Sequence, residues 1–339
     1  MKRLLPLFSR LASTLGLLLA VVVLNFLLIQ MAPGDPVSVI VGEMGGASEE
    51  LIARMRAEYG LDQPLHVQLG VYVWKILHGD FGFSYYFKEP VLSLILQRLP
   101  ATILLVVTAL AVAVLVGTLL GIFSARRPRG PLNYLVTLVS LAGYSAPVFW
   151  TGLMLVILFS SILPLFPVSG MADVRGAETF LGSVADVAHH LVLPAVTLAS
   201  IYIAIYSRLS RATMLDVLGA DYIRTARAKG LSERRVVYGH ALRNALIPVV
   251  TMVGLQFGQL FAGAVLVETV FNWPGLGRLA FESILRRDYP TLLGILFFSA
   301  ILVVVANILT DIAYGLVDPR IRTRKPAAAR KPKATGAPR

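Results

Sequence analysis

The 339 residues are 56% hydrophobic and 15% charged, with a mean hydropathy of +0.74, which excludes a water-soluble globular domain and points to a polytopic membrane protein. Zero cysteines exclude disulfides, thiolate metal centres and a thiol nucleophile. The net charge of +12 is explained by membrane topology and calls for no nucleic-acid partner.

Apolar runs of about 20 residues match the ~30 Å hydrocarbon core, where only a continuous helix satisfies its own backbone. Six are predicted, at 11–31, 101–123, 132–163, 188–207, 246–271 and 291–317, so the expected fold is all-α with six transmembrane helices. The first follows Lys2, Arg3 and Arg10 in a cytoplasmic segment, 1–10. Its run is longer than the ~7–15 residues of a secretory signal and lacks an Ala-x-Ala exit, so it reads as an uncleaved anchor. Residues 32–100 form an extracytoplasmic loop too long for a turn, with a helix predicted over 49–59 between Ser48 as cap and Gly60 as stop, a small ordered cap. The third run carries no charge from Gly130 to Ala172 and holds Pro147, which predicts a kinked helix followed by a re-entrant or interfacial tail. Residues 101–317 make the membrane core, with a cytoplasmic loop at 216–246, and 318–339 a disordered basic tail drawn to anionic lipid.

Cations near membrane ends are retained on the cytoplasmic side. With the N-terminus inside, the cytoplasmic segments hold 22 of the 31 Lys and Arg residues and the outer ones 9. Both termini are therefore expected in the cytoplasm, and six crossings are self-consistent.

The loop between the fourth and fifth spans carries a finer pattern. Asp221 stands where a cap is wanted, 222–229 favour helix, and Gly230 suits the left-handed position that ends one. Ser232 and Glu233 then start a second short helix, with Val236, Val237, His240 and Ala241 at helical spacing up to Leu246 and Pro248. On the first helix Arg224 and Arg227 share a face, while Tyr222, Ala226 and Lys229 line a stripe beside it. Composition alone leaves two readings open: a helix seated in a partner's groove, or a basic helix lying on lipid head groups.

Tyr222, Arg224, Thr225, Ala226, Arg227, Ala228, Lys229, Gly230 and Leu231, followed by His240–Ala241–Leu242–Arg243–Asn244–Ala245–Leu246 and Pro248, resemble the coupling loop of binding-protein-dependent ABC transporter permeases, and more narrowly the dipeptide/oligopeptide/nickel family. The broader superfamily begins this loop Glu-Ala-Ala; here Ala226 and Gly230 match, while Arg224 and Thr225 depart as in the peptide branch. Ala32–Pro33–Gly34–Asp35–Pro36, Gly79–Asp80–Phe81–Gly82 with Ser84, and Glu268–Thr269–Val270–Phe271 running into Pro274–Gly275–Leu276–Gly277 and Arg287–Asp288–Tyr289–Pro290 are similar in the same order. The resemblance spans nearly the whole chain apart from the tail.

The resemblance implies a type I importer permease of a bacterial or archaeal inner membrane. It would work beside a second homologous permease, two ABC ATPase subunits and an extracytoplasmic solute-binding protein. ATP and Mg would bind those ATPases, since this chain has no Gly-x-x-x-x-Gly-Lys-Ser/Thr run. Asp221 to Leu231 would take the motor's stroke. Trp273, Pro274, Gly275 and Gly277, with the 32–100 cap, would help dock the binding protein. The 275–280 run satisfies a lax dinucleotide pattern, yet it follows Trp273–Pro274 and no strand, so a tight external turn is the reading kept. Nickel or another small solute is the alternative cargo.

Substrate-path candidates are Gln256 and Gln259 on one face of the fifth span, Asn307 and Asp311 on one face of the sixth, and Tyr144, with Ser145, Tyr202 and Tyr206 behind them. Structural hydrogen bonding competes with this role at each. His189 and His190 are adjacent, point to different helix faces and predict no metal pair. An ion-coupled secondary transporter would rely on intramembrane ion sites and often an inverted repeat; no repeat is found, and Asp311 is read as the lone acid well inside a span. No catalytic set lies at bilayer depth.

Overall fold

The computed structural model describes residues 5–31, 41, 48–50, 52–53, 62–126, 130–173, 176 and 179–317. The Ala32–Pro36 motif, most of the predicted 49–59 helix and the 318–339 tail lie outside them; of that helix, Ile52 N donates to Ser48 O at 3.1 Å.

Helices carry the fold. They are α1 (Leu5–Met31), α2 (Leu65–Leu77), α3 (Val91–Arg126), α4 (Pro131–Ser145), α5 (Val148–Val156), α6 (Phe180–Leu218), α7 (Asp221–Ala228), α8 (Glu233–Arg235), α9 (Leu242–Val270), α10 (Leu276–Arg286) and α11 (Tyr289–Val317). A two-stranded antiparallel ribbon, β1 (Phe83–Ser84) with β2 (Glu89–Pro90), precedes α3 and pairs Phe83 with Pro90 and Ser84 with Glu89. Among the described residues four helical stretches are long and apolar enough to cross a bilayer: Val91–Arg126, Phe180–Leu218, Glu233–Gly254 and Tyr289–Thr310. Shorter apolar stretches are Ala12–Leu28, Val148–Ile162 and Gly258–Val270.

The predicted third span is broken. Pro147 precedes α5 in extended conformation, and α5 continues as a π-helical turn, Ile157–Ile162. Proline's missing N–H and its clash with the preceding turn account for the break. Beyond it the chain folds back: Leu165 N and Phe166 N both donate to Phe159 O, and Gly170 N reaches Phe271 O at 2.8 Å.

The centre of the molecule is the α3–α6 seam. Ala101, Leu105, Ala109, Ala113, Gly117 and Gly121 recur every fourth residue along α3, and all are buried. This small-residue ridge lets two backbones approach closely, the packing that lipid-embedded helices use when no hydrophobic drive separates them from solvent. A Cβ on Gly117 would lie 2.7 Å from Tyr206 Cβ, and one on Gly121 would lie 2.6 Å from Ser207 O. Leu198, Ala199, Tyr202 and Tyr206 of α6, with Leu260, Ala264 and Val267 of α9, complete this core.

Candidate functional site

At its C-terminal end, α6 runs on to Leu218 and turns through Gly219 and Ala220 into α7. Ala220, extended, is the residue before α7, so Asp221 occupies the first turn and is not the cap; its carboxylate lies 3.5 Å from Arg224 Nη1. An acid there still opposes the positive helix end.

Gly230 is left-handed at φ +79°. Its N–H reaches Arg227 O at 2.9 Å and the Leu231 N–H reaches Ala226 O at 3.4 Å, the paired bonds of a Schellman stop. A Cβ on Gly230 would meet nothing within 4 Å, so the glycine is required by backbone conformation and not by space. Gly230→Ala is expected to cost about 1 kcal/mol, read as a lowered thermal midpoint of correctly inserted protein.

The inner face of α7 differs from the predicted stripe. Ala226 is buried, together with Ile223, in a cluster with Ile122 and Ala125 of α3, Met214 of α6, and Val236, Val237, Ala241 and Ala245. Ala226 therefore seats the helix on its own subunit. Arg227 also turns inward along the chain: its Nη2 and Nε donate to the two Glu233 carboxylate oxygens at 2.7 and 3.1 Å, clasping α7 to α8 across Gly230. That paired bond pushes the Arg227 guanidinium up and holds the Glu233 carboxyl below its ordinary range. Asn244 Nδ2 donates to Tyr222 Oη at 2.9 Å, a second brace. Asp221, Tyr222, Arg224, Thr225, Ala228 and Lys229 are left facing outward.

The second bracket helix is not separate. After α8 the chain forms a π-helical turn, Val236–Ala241, that runs without a break into α9. Ser232 precedes it without a side-chain capping bond. The bracket after α7 is thereby continuous with the long helix α9.

At the C-terminal end of α9, the residues of the predicted docking turn pack into the fold. Trp273 is 0% exposed and its indole N–H donates to Ala101 O at 2.9 Å. Glu268, also 0% exposed, accepts from Thr102 Oγ1 at 2.6 Å and from Arg278 N at 3.0 Å, while Thr102 Oγ1 accepts from Leu276 N at 2.7 Å. A Cβ on Gly275 would fall on the Glu268 carboxyl, and one on Gly277 would lie 2.6 Å from Val265 Cα. Trp273, Gly275 and Gly277 thus build a clasp joining α3, α9 and α10, with Pro274 half-buried beside them; exposed side chains near this turn include Asn272 and, on α10, Arg286. Glu268 was missed as a site residue, although an acid ending an apolar run just before Gly-x-Gly was a legible signal. Asp288 makes a companion brace, accepting from Thr291 Oγ1 at 2.7 Å and from Ser84 Oγ.

The substrate-path candidates differ in setting. Gln256 is buried and its Oε1 has no hydrogen-bond partner, whereas Gln259 and Asn307 are exposed. Tyr144 and Asp311 lie in α4 and α11, and the structure describes their backbones only. Tyr202 and Tyr206 are buried in the α3–α6–α9 core. The two histidines diverge: His189 Nε2 contacts Leu165 O at 2.8 Å, and His190 Nδ1 contacts Asp186 O at 2.9 Å. Asp173, Asp186 and His190 do gather ligand atoms within 4.8 Å of one another. Both Asp186 carboxylate oxygens already face protein donors, Asp173 N at 2.8 Å and His190 Nδ1 at 3.1 Å, so the group pins the folded-back loop to α6.

Comparison with known proteins agrees with this architecture. Residues 117–323 match the family described as binding-protein-dependent transport system inner membrane component, and residues 1–106 match the N-terminal part of such components. The dipeptide transport system permease protein DppB of Escherichia coli strain K12 is 41% identical over 333 residues, covering 93% of this chain and 98% of that one. The di/tripeptide transport system permease protein DppB of Pseudomonas aeruginosa strain UCBPP-PA14 is 44% identical over 335 residues, covering 94% and 99%. The oligopeptide transport system permease protein AppB of Bacillus subtilis strain 168 is 40% identical over 314 residues, covering 92% and 97%. Among solved structures, a chain of the inward-facing MetNI methionine ABC transporter superposes with a TM-score of 0.53 at 16% identity, covering 66% of this chain and 96% of that one, a likeness of fold. The chain belongs to the family of binding-protein-dependent transport system inner membrane components.

Proposed function

We propose that this chain is the permease subunit of an ATP-driven importer of dipeptides or oligopeptides, crossing the inner membrane six times with both termini in the cytoplasm. A second homologous permease completes the path. A solute-binding protein delivers cargo on the outside, and two ATPase subunits carry the ATP and Mg. The peptide cargo is supported by the relatives' names, and nickel stays the alternative. The unpartnered Oε1 of buried Gln256 suits a group that meets cargo or the second permease.

The observation that carries the reading is the shape of α7. It presents Asp221, Arg224, Thr225, Ala228 and Lys229 outward, while Ile223 and Ala226 anchor it to the ends of α3, α6 and α9. A helix gripped on one face and bolted on the other converts closure of an ATPase pair into movement of membrane helices.

The cysteine-free sequence makes the test direct. Ala228→Cys, on the outward face, should crosslink to an ATPase subunit in the assembled complex, and Ala226→Cys, on the buried face, should not. Arg224→Glu combined with Lys229→Glu should remove co-purifying ATPase and drop uptake to background without lowering the thermal midpoint, because both side chains lie outside the buried cluster. Capture at neither position, or full uptake in the double variant, would defeat the assignment.

A further inference from the structure

The helix α2 carries an apolar face that the importer architecture does not use. It runs antiparallel to the outer half of α1: Gln30 Nε2 donates to Gln68 Oε1 at 2.8 Å, and the Phe26 and Tyr72 rings lie 6.1 Å apart. Tyr72 is also hydrogen-bonded to Asn25, whose Nδ2 donates to Leu293 O of α11 at 3.1 Å. Three helices are thus tied at one level. At about 1.5 Å per residue, the stretch from Gln68 to Ile76 descends roughly 12 Å alongside α1 from the level of Gln30.

The opposite side of α2 is exposed and apolar. Val67, Val71, Trp74 and Leu77 follow at helical spacing, with Trp74 65% and Leu77 74% exposed. Gly70 lies among them, and the only formal charge within α2 is the half-buried Lys75. His66 and His78 stand at the two ends, and the Trp74 and His78 rings are 4.0 Å apart. On α1, Leu24, Leu27, Leu28 and Met31 are exposed at the same level. Thirteen residues make a helix of about 20 Å, too short for a ~30 Å core. A short helix with an apolar outer face, an aromatic near one end and polar groups at its ends belongs in one leaflet.

We propose that α2 is an outer-leaflet helix whose Val67–Val71–Trp74–Leu77 face lies against lipid beside α1, and that it tethers the β1–β2 ribbon to the bilayer. The proposal needs no transport activity, so its test is independent of the importer reading. The full-length chain, co-expressed with its partner subunits, is reconstituted into phosphatidylethanolamine–phosphatidylglycerol vesicles. Nitroxides are attached one at a time to Val67→Cys, Val71→Cys, Trp74→Cys and Leu77→Cys, with Asp62→Cys and Gln63→Cys as references. Collision with lipid-dissolved oxygen relative to a water-soluble nickel chelate should be several-fold higher on the α2 face than at the two references. Equal access to the chelate at all six positions would place the face in water, and exclusion of both reagents would place it under a protein partner; either result overturns the proposal. If Trp74→Cys fails to assemble, Val67→Cys and Val71→Cys carry the same comparison.

Discussion

Gly275→Ala is expected to dismantle the Glu268–Trp273 clasp. The added methyl falls on the Glu268 carboxyl, which is enclosed on every side and cannot move without releasing Thr102 Oγ1 and the Arg278 N–H. Stranding those buried groups costs about 1–3 kcal/mol each, so the total is on the order of 3–5 kcal/mol, at the upper end of single-substitution effects. The measurement is the thermal midpoint of detergent-solubilised protein together with its monodisperse yield. Glu268→Ala removes the group the methyl strikes. Gly275→Ala should therefore cost clearly less in that background, and the double-mutant cycle reads the coupling directly. Additive losses would show that the glycine and the carboxyl act independently.

Gly121→Leu is the second large effect. Its first carbon alone would stand 2.6 Å from Ser207 O and 2.9 Å from Arg211 N, both backbone atoms of α6 that no rotamer change can move. The helices must separate, and the small-residue seam loses contact along its Gly117–Gly121 half. Overpacking commonly costs about 1–3 kcal/mol, and a full leucine against backbone exceeds that range. The expected result is a chain that inserts but does not survive extraction. Gly16→Leu is the matched control, since a Cβ there meets nothing within 4 Å; its thermal midpoint should remain within a degree or two of the parent. Comparable losses at both positions would make the α3–α6 approach irrelevant.

These two effects rest on residues whose importance the sequence reading only partly caught. Apolar run length pointed to six spans, of which four described stretches are long and apolar enough to cross a bilayer, and Pro147 exposed the break in the third run. The left-handed stop at Gly230 was equally legible, since few residues tolerate that conformation. The inward turn of Ala226 was not. A small residue between basic neighbours reads the same whether it receives a partner or seats against its own fold, and only the cluster around Ile122 and Met214 decides it. Glu268 and Trp273 were obscured for a related reason: their partners, Thr102 and Ala101, lie more than 160 residues away in sequence. The fourfold spacing from Ala101 to Gly121 was present in the sequence as a Gly-x-x-x-Gly end, but a period measured for hydrophobicity passes over small residues. The helix α2 was missed because its face follows helical spacing on the side turned away from the protein.

Both ends of the α3–α9 pair are fixed. At one end Ile122 and Ala125 share a buried cluster with Ala241 and Ala245; at the other Thr102 and the Ala101 carbonyl hold Glu268 and Trp273. Sliding one helix along the other would have to break both attachments at once, so shear is the costly deformation and tilt the cheap one. A turning force applied at the Ile122 end is consequently carried along α3 and α9 to the Trp273 end.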